Sequence, residues 1–181
     1  MRRIPMAVLF ILALTFMTGP ARGQQNESAR IRTREQLGQL LDKIGPSIHI
    51  TFRQSEKRPF DFVGLLKEGV TQADSFEVLI GVTPTQTLGF RIFPRYKGRY
   101  INVDNVKNSA GLMRQMLRLS DSAFLFWGVD SSGDIFTGYT VTLESGFPEE
   151  SIKIILKSIV NSDKFIGEMK PMIDGSSAPA K

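Results

Sequence analysis

Apolar side chains recur along this chain with two periods, and each period marks an element. Leu37, Leu40, Leu41 and Ile44 fall at i, i+3, i+4 and i+7, which predicts a helix over residues 34–44. Thr33 followed by Gln36 has capping-box spacing, and Gly45-Pro46 stops the helix. The period then drops to two. Ile48, Ile50 and Phe52 alternate with His49, Thr51 and Arg53, a half-buried strand. Residues 60–66 read as a shorter strand. Phe76, Val78, Ile80 and Val82 alternate, Thr83-Pro84-Thr85-Gln86 turns the chain, and Leu88, Phe90 and Ile92 alternate again. Pro94 ends that strand or marks a sheet edge. Residues 100–103 form one more short strand.

The second half returns to helical spacing. Residues 109–119 predict a helix with Leu112, Met113, Met116 and Leu117 on its buried face. Ala123 to Val129 is nearly continuous in apolar residues, Asp130-Ser131-Ser132-Gly133-Asp134 turns, and residues 135–143 return with Ile135, Tyr139, Val141 and Leu143 inward, a hairpin. In the last helix Pro148 takes the first position and Glu149 and Glu150 complement the helix dipole. Ile152, Ile155, Leu156, Ile159 and Val160 form its stripe, and Glu149 and Lys153 an i, i+4 pair. Asn161-Ser162 ends it, and Lys164 to Met169 either extends it or docks separately. Residues 24–32 and 171–181 are polar or rich in Gly, Ser, Pro and Ala, and read as a flexible lead-in and a disordered tail around one domain over 33–170. Short connections favour antiparallel pairing, so the expected fold class is α+β.

The first residues carry an address. Met1-Arg2-Arg3 is basic, Ile4 to Met17 is apolar apart from Pro5 and Thr15, and Ala21-Arg22-Gly23 is small-x-small. That layout is a secretory signal cut after Gly23, which implies a periplasmic or secreted protein. The alternative is an uncleaved anchor, for which an apolar stretch of about 14 residues is short against the roughly 20 that span a bilayer. The chain has no cysteine, which excludes a lipid-anchored N-terminus and any disulfide, so packing alone must stabilise it.

Cleavage also changes the charge. The 181-residue chain has 23 Lys+Arg against 18 Asp+Glu; Arg2, Arg3 and Arg22 leave with the signal and no acid does, which takes the net charge from +5 to +2 over the remaining 158 residues. The nucleic-acid partner that a pI of 9.6 suggests loses most of its support. Thirteen Phe and 41% apolar residues argue for a packed core.

One succession is more specific. Met116-Leu117-Arg118-Leu119 closes a helix, Ala123-Phe124-Leu125-Phe126-Trp127-Gly128-Val129-Asp130 is a strand into an acidic turn, Ser131-Ser132-Gly133-Asp134-Ile135 starts the return, and Ser145-Gly146-Phe147-Pro148-Glu149-Glu150-Ser151-Ile152 opens the last helix. This resembles the bacterial YbjN-type (sensory-transduction-regulator) domain, whose fold is similar to that of type III secretion chaperones. Ser120 stands where that pattern has an Asn. The resemblance implies a single antiparallel sheet flanked by helices and a non-catalytic role in binding or regulating another protein, with homodimerisation as one form of it. It carries no catalytic set.

Candidate chemistry is sparse. His49 is the only histidine, and with no cysteine a zinc site or His-based nucleophilic catalysis lacks partners. Asp130 to Asp134 has the look of a calcium loop, but its twelfth position is Val141, so a hairpin turn is the better reading. Glu149 and Glu150 suit a solvated first turn. Neither a cofactor nor a metal is expected. Arg91, Arg95, Lys97 and Arg99 mix with Tyr96 and Tyr100, a cluster suited to an acidic partner surface or, less well, to an anionic membrane surface. Phe124 and Phe126 share one strand face and Leu125, Trp127 and Val129 the other, so this strand is either core on both sides or leaves one face open to a partner. The expected binding residues are Phe126, Trp127, Arg95, Lys97 and Arg99. The competing expectations are a small-ligand receptor or enzyme of the cell envelope built on carboxylates, Tyr and Arg, and an anchored structural component of the envelope. Intact-mass measurement of the exported protein should show a chain starting at Gln24; a mass that retains Met1 to Gly23 would contradict the cleaved signal.

Overall fold

The alternating segments pair into one sheet. The structure, a computed structural model, describes residues 21–175, so residues 1–20 of the signal and 176–181 of the tail lie outside the described residues. The chain runs α1 (Ala21–Ile44), β1 (Ile50–Gln54), β2 (Asp61–Leu66), β3 (Ser75–Val82), β4 (Thr87–Tyr96), β5 (Arg99–Tyr100), α2 (Ser109–Ser122), β6 (Phe126–Val129), β7 (Ile135–Thr142), α3 (Glu149–Ser158) and α4 (Asp163–Asp174). The fold is α+β, with a single antiparallel sheet of seven strands in the order β1-β2-β3-β4-β7-β6, β5 pairing with β4.

Register puts the apolar positions of neighbouring strands on one face. Ile80 sits opposite Phe90 and Val78 opposite Ile92, and Phe90 and Ile92 sit opposite Tyr139 and Thr137 on β7. The helices seal this face with Leu37 and Leu41 from α1, Leu112 and Met116 from α2, Ile152 and Ile155 from α3, and Ile166 and Met169 from α4, in one cluster. Each such side chain contributes about 1.5–3 kcal/mol when taken fully out of water.

Several elements differ from the sequence reading. The polar residues 24–32 continue α1 upstream instead of forming a lead-in, because Arg30 docks them: its Nε donates to the Val82 carbonyl at 2.8 Å and its guanidinium lies 3.6 Å from the centre of the Phe60 ring. Thr33 is therefore inside the helix rather than its cap, and its hydroxyl donates to the Ala29 carbonyl. His49 adopts φ 56° after a short 3-10 turn and pairs with Glu68 at 2.7 Å in solvent. Pro94 lies within β4, opposite Phe76, past the point where pairing with β7 stops at Ile92. On α2 the buried row is Leu112, Met116 and Leu119, while Met113 and Leu117 face solvent, Leu117 at 70% exposure. The tail starts later than expected: α4 runs through Pro171 to Asp174 and closes on Gly175 in the left-handed conformation that glycine tolerates.

One buried carboxylate ties the start of α4 to the connection between β2 and β3. Asp163, at the start of α4, is 5% exposed. It accepts the backbone N–H groups of Thr71, Gln72 and Ala73 at 2.7, 2.9 and 2.8 Å, and the Thr71 hydroxyl at 2.9 Å. Burial pushes its pKa up, but the donors of Ala73, Thr71 and Gln72 outweigh that and hold it below the usual carboxylate range. The stabilisation is fully present above the unfolded value near pH 4 and is lost as pH falls through the lower folded value. Asp163→Asn should cost about 3 kcal/mol in urea unfolding at neutral pH, and the gap from the parent should narrow below pH 4. Equal stability at neutral pH would contradict the clamp.

Candidate binding face

All four helices pack on one side of the sheet, and alternation places the other half of each strand's side chains on the side they leave uncovered. β1 and β2 contribute Arg53, Val63 and Leu65; β3 contributes Glu77 and Leu79; β4 contributes Arg91, Phe93 and Arg95; β7 contributes Phe136 and Gly138, and β6 Phe126 and Gly128. These positions are mostly half-buried or exposed, whereas their neighbours on the helix side are almost entirely buried.

Aromatic rings form a row across this face. Phe126 meets Phe136 edge-on with centroids 5.9 Å apart, Phe136 meets Phe93 at 5.7 Å, and Phe93 meets Tyr100 at 5.9 Å. The row thus spans β6, β7, β4 and β5. Two glycines let it lie down on the sheet. A Cβ on Gly128 would stand 2.9 Å from Phe136 Cζ, and one on Gly138 would stand 2.6 Å from the Phe90 carbonyl oxygen and 3.1 Å from Phe126 Cζ. Rings laid over strand glycines cover backbone that would otherwise be bare.

Cations border the row. The Arg91 guanidinium lies 5.0 Å from the Phe136 ring centre, and that of Arg95 lies 5.3 Å from Tyr100. Among the described residues none of Arg53, Arg91 and Arg95 has a carboxylate within 4.0 Å. The acids of the same face are engaged: Glu77 accepts the Tyr100 hydroxyl at 2.7 Å, and Asp61 lies 3.5 Å from Arg58. The face therefore offers apolar surface with free positive charge.

The expected binding residues divide between the two sides. Phe126, 42% exposed, and Arg95 stand on the open face. Trp127 does not. Successive strand residues point to opposite sides, so it is 6% exposed on the helix side, edge-on to Phe165 of α4. Lys97 occupies the β4–β5 turn at φ 54° and pairs with Asp174 at 2.7 Å. With the Tyr96 hydroxyl it holds the Asp174 carboxyl below its usual range. Arg99 pairs in register with Tyr96, not Arg95, so it too is off the open face. Phe124 precedes β6 and stacks on Tyr139 at 4.6 Å, so it does not share a face with Phe126. The sequence reading passed over Phe93, Phe136, Gly128 and Gly138. Their signal is the outward set of β4, Arg91-x-Phe93-x-Arg95, together with the two Phe-x-Gly spacings of the hairpin, Phe126-x-Gly128 and Phe136-x-Gly138, each ring opposite the other strand's glycine.

Elsewhere the polar groups are used structurally. The Asp130 carboxylate accepts the N–H groups of Ser132 and Asp134 at 2.9 and 3.0 Å, which makes its loop a turn. Among the described residues no three His, Asp or Glu side chains stand together to hold a metal ion. A cleft of about 50 Å³ lies beside Tyr96, Arg99 and Asp174, and a shallow hollow of about 310 Å³ lies between Asn26 and the Thr85–Thr87 turn. No helix among the described residues is long and apolar enough to cross a membrane. Comparisons with family models, curated proteins and solved structures find no significant match to this chain.

Burial, then the hydrogen bond to Glu77 and its charge, push the Tyr100 phenol up to about 12, against a small opposing pull from Arg95. A folded pKa above the unfolded value of about 10 means the contribution is complete below pH 10 and lost as pH rises towards 12. Ultraviolet titration should show one phenol ionising near pH 12 that Tyr100→Phe removes; loss of a phenol from the ordinary step near pH 10 in that variant would contradict the half-buried pair with Glu77.

Proposed function

We propose that this chain is an exported, non-enzymatic domain that binds or regulates another protein, and that it holds that partner on the uncovered face of its sheet. The observation that carries the reading is the row Phe126, Phe136, Phe93 and Tyr100 on the sheet face that no described helix covers, with Phe126 42% exposed at its end and arginines without carboxylate partners beside it. Aromatic residues and Arg are the types enriched in protein interfaces, and a contiguous apolar patch of this kind on a soluble domain marks an interaction site. The resemblance to the YbjN-type domain and its chaperone-like relatives points the same way, as does the basic and apolar start of the chain for export. Loss of Trp127, Lys97 and Arg99 from the expected set narrows the site without changing the kind of partner.

Photo-crosslinking in exporting cells tests it. A crosslinker at Leu65 or Phe126 should capture a discrete protein adduct, and one at Ile154, exposed on α3, should not. With the captured partner purified, Phe126→Ser should weaken binding at least tenfold, the loss expected of an interface anchor of more than about 1.4 kcal/mol. Adducts that form equally at Ile154, or none at the sheet positions, would overturn the assignment of this face.

A further inference from the structure

The same face constrains what can lie on it, and resting on the reading above, we infer that its occupant is an acidic amphipathic helix of a partner protein. A segment laid flat on a sheet face finds no backbone partners there, since the N–H and C=O groups of the central strands lie in the plane of the sheet and are spent on its ladders. It must satisfy its own backbone, and a helix does so where an extended strand does not. Strand addition at the β6 edge is blocked as well, because the Trp127 N–H that points outward already donates to the Ser120 hydroxyl of α2 at 2.7 Å. From β2 to β6 the open face crosses four inter-strand gaps, about 19 Å at roughly 4.8 Å each. That length matches about 13 residues of helix at 1.5 Å each.

Side-chain chemistry selects the helix further. The rings meet one another edge-on or tilted, and Phe136 is only 7% exposed, so few ring faces remain for the stacking that single-stranded nucleic acid uses. What the row presents is ring edges and the side chains of Leu65 and Leu79, which suit aliphatic side chains at i, i+3, i+4 and i+7. Arg91 and Arg95 flank the row, with Arg53 at its far side, so carboxylates on both borders of the incoming helix meet free cations. A second copy of this chain lacks that complementarity. A two-fold contact would set the same surface against itself, with Arg53, Arg91 and Arg95 on each copy meeting only Glu77 and Asp61 in return, Asp61 already beside Arg58.

The probe is a labelled 14-residue peptide with leucines at i, i+3, i+4 and i+7 and glutamates on both borders, and its counterpart with lysines in place of the glutamates. Titrated into the full chain at low salt, the glutamate peptide should bind at micromolar concentration and the lysine peptide at least tenfold more weakly. Arg91→Gln with Arg95→Gln should reduce glutamate-peptide binding at least tenfold and flatten its salt dependence. Both positions are on the surface, and an unchanged melting temperature verifies that the variant folds. Equal binding of the two peptides, or no effect of the double variant, overturns the inference. So does tight binding of a 12-nucleotide oligo-dT or of phosphatidylglycerol vesicles that the double variant abolishes while the peptide fails, or concentration-dependent dimerisation that Phe126→Ser abolishes. These last results overturn the helix but leave the face as a binding surface, whereas absence of crosslinks at Leu65 and Phe126 removes the face itself.

Discussion

A seven-stranded sheet with all its helices on one side has a second side that must live in water, and that asymmetry governs the rest of the molecule. On the sealed side, Phe76, Val78, Ile80, Phe90 and Ile92 are at most 1% exposed and meet a continuous helical layer. On the other side the strands carry aromatic, aliphatic and arginine side chains with no helix of the described residues above them. Gly128 and Gly138 make that tolerable, since they let Phe136 and Phe126 lie against the sheet instead of standing out from it. The result is a partly self-covered patch, with Phe136 7% and Phe126 42% exposed.

The remaining interactions hold this one-sided sandwich together at its borders. Asp163 gathers the Thr71–Ala73 backbone onto the start of α4, while the Tyr96 hydroxyl and Lys97 hold Asp174 at its end. Arg30 pins the front of α1 to the end of β3 through the Val82 carbonyl. Ser120 takes the outward N–H of Trp127 and so closes the β6 edge.

Strong periodicity was legible in the sequence and its phase was less so. Alternation over β3 and β4 located both strands and their inward residues, and the i, i+3, i+4 stripe did the same for α3 except at Val160, which is 37% exposed in the 3-10 turn that follows it. Helical phase on α2 was misread at Met113 and Leu117, because a helix that lies against the sheet edge and α4 buries a narrower stripe than its apolar content suggests. The start of α1 was invisible because Arg30 anchors it through a carbonyl 52 residues away, which no local pattern encodes. The same logic explains the binding residues. Phe126 and Arg95 emerged from local composition, but adjacent positions in a strand part company: Trp127 went to the core, while Lys97 and Arg99 left the face that holds Arg95. The rings that complete the row come from β4 and β7, and only the register of the sheet brings them together.

The central claim is that one face of the sheet is bare in the free protein. Nuclear magnetic resonance with a soluble paramagnetic probe tests it most directly, through the side-chain signals of the two faces. The account predicts strong broadening at Leu65, Leu79 and Phe126 and protection of Val78, Ile80 and Phe90. Protection of Leu65 and Phe126 to the same degree as Val78 would mean that the chain covers this face itself, and would contradict it.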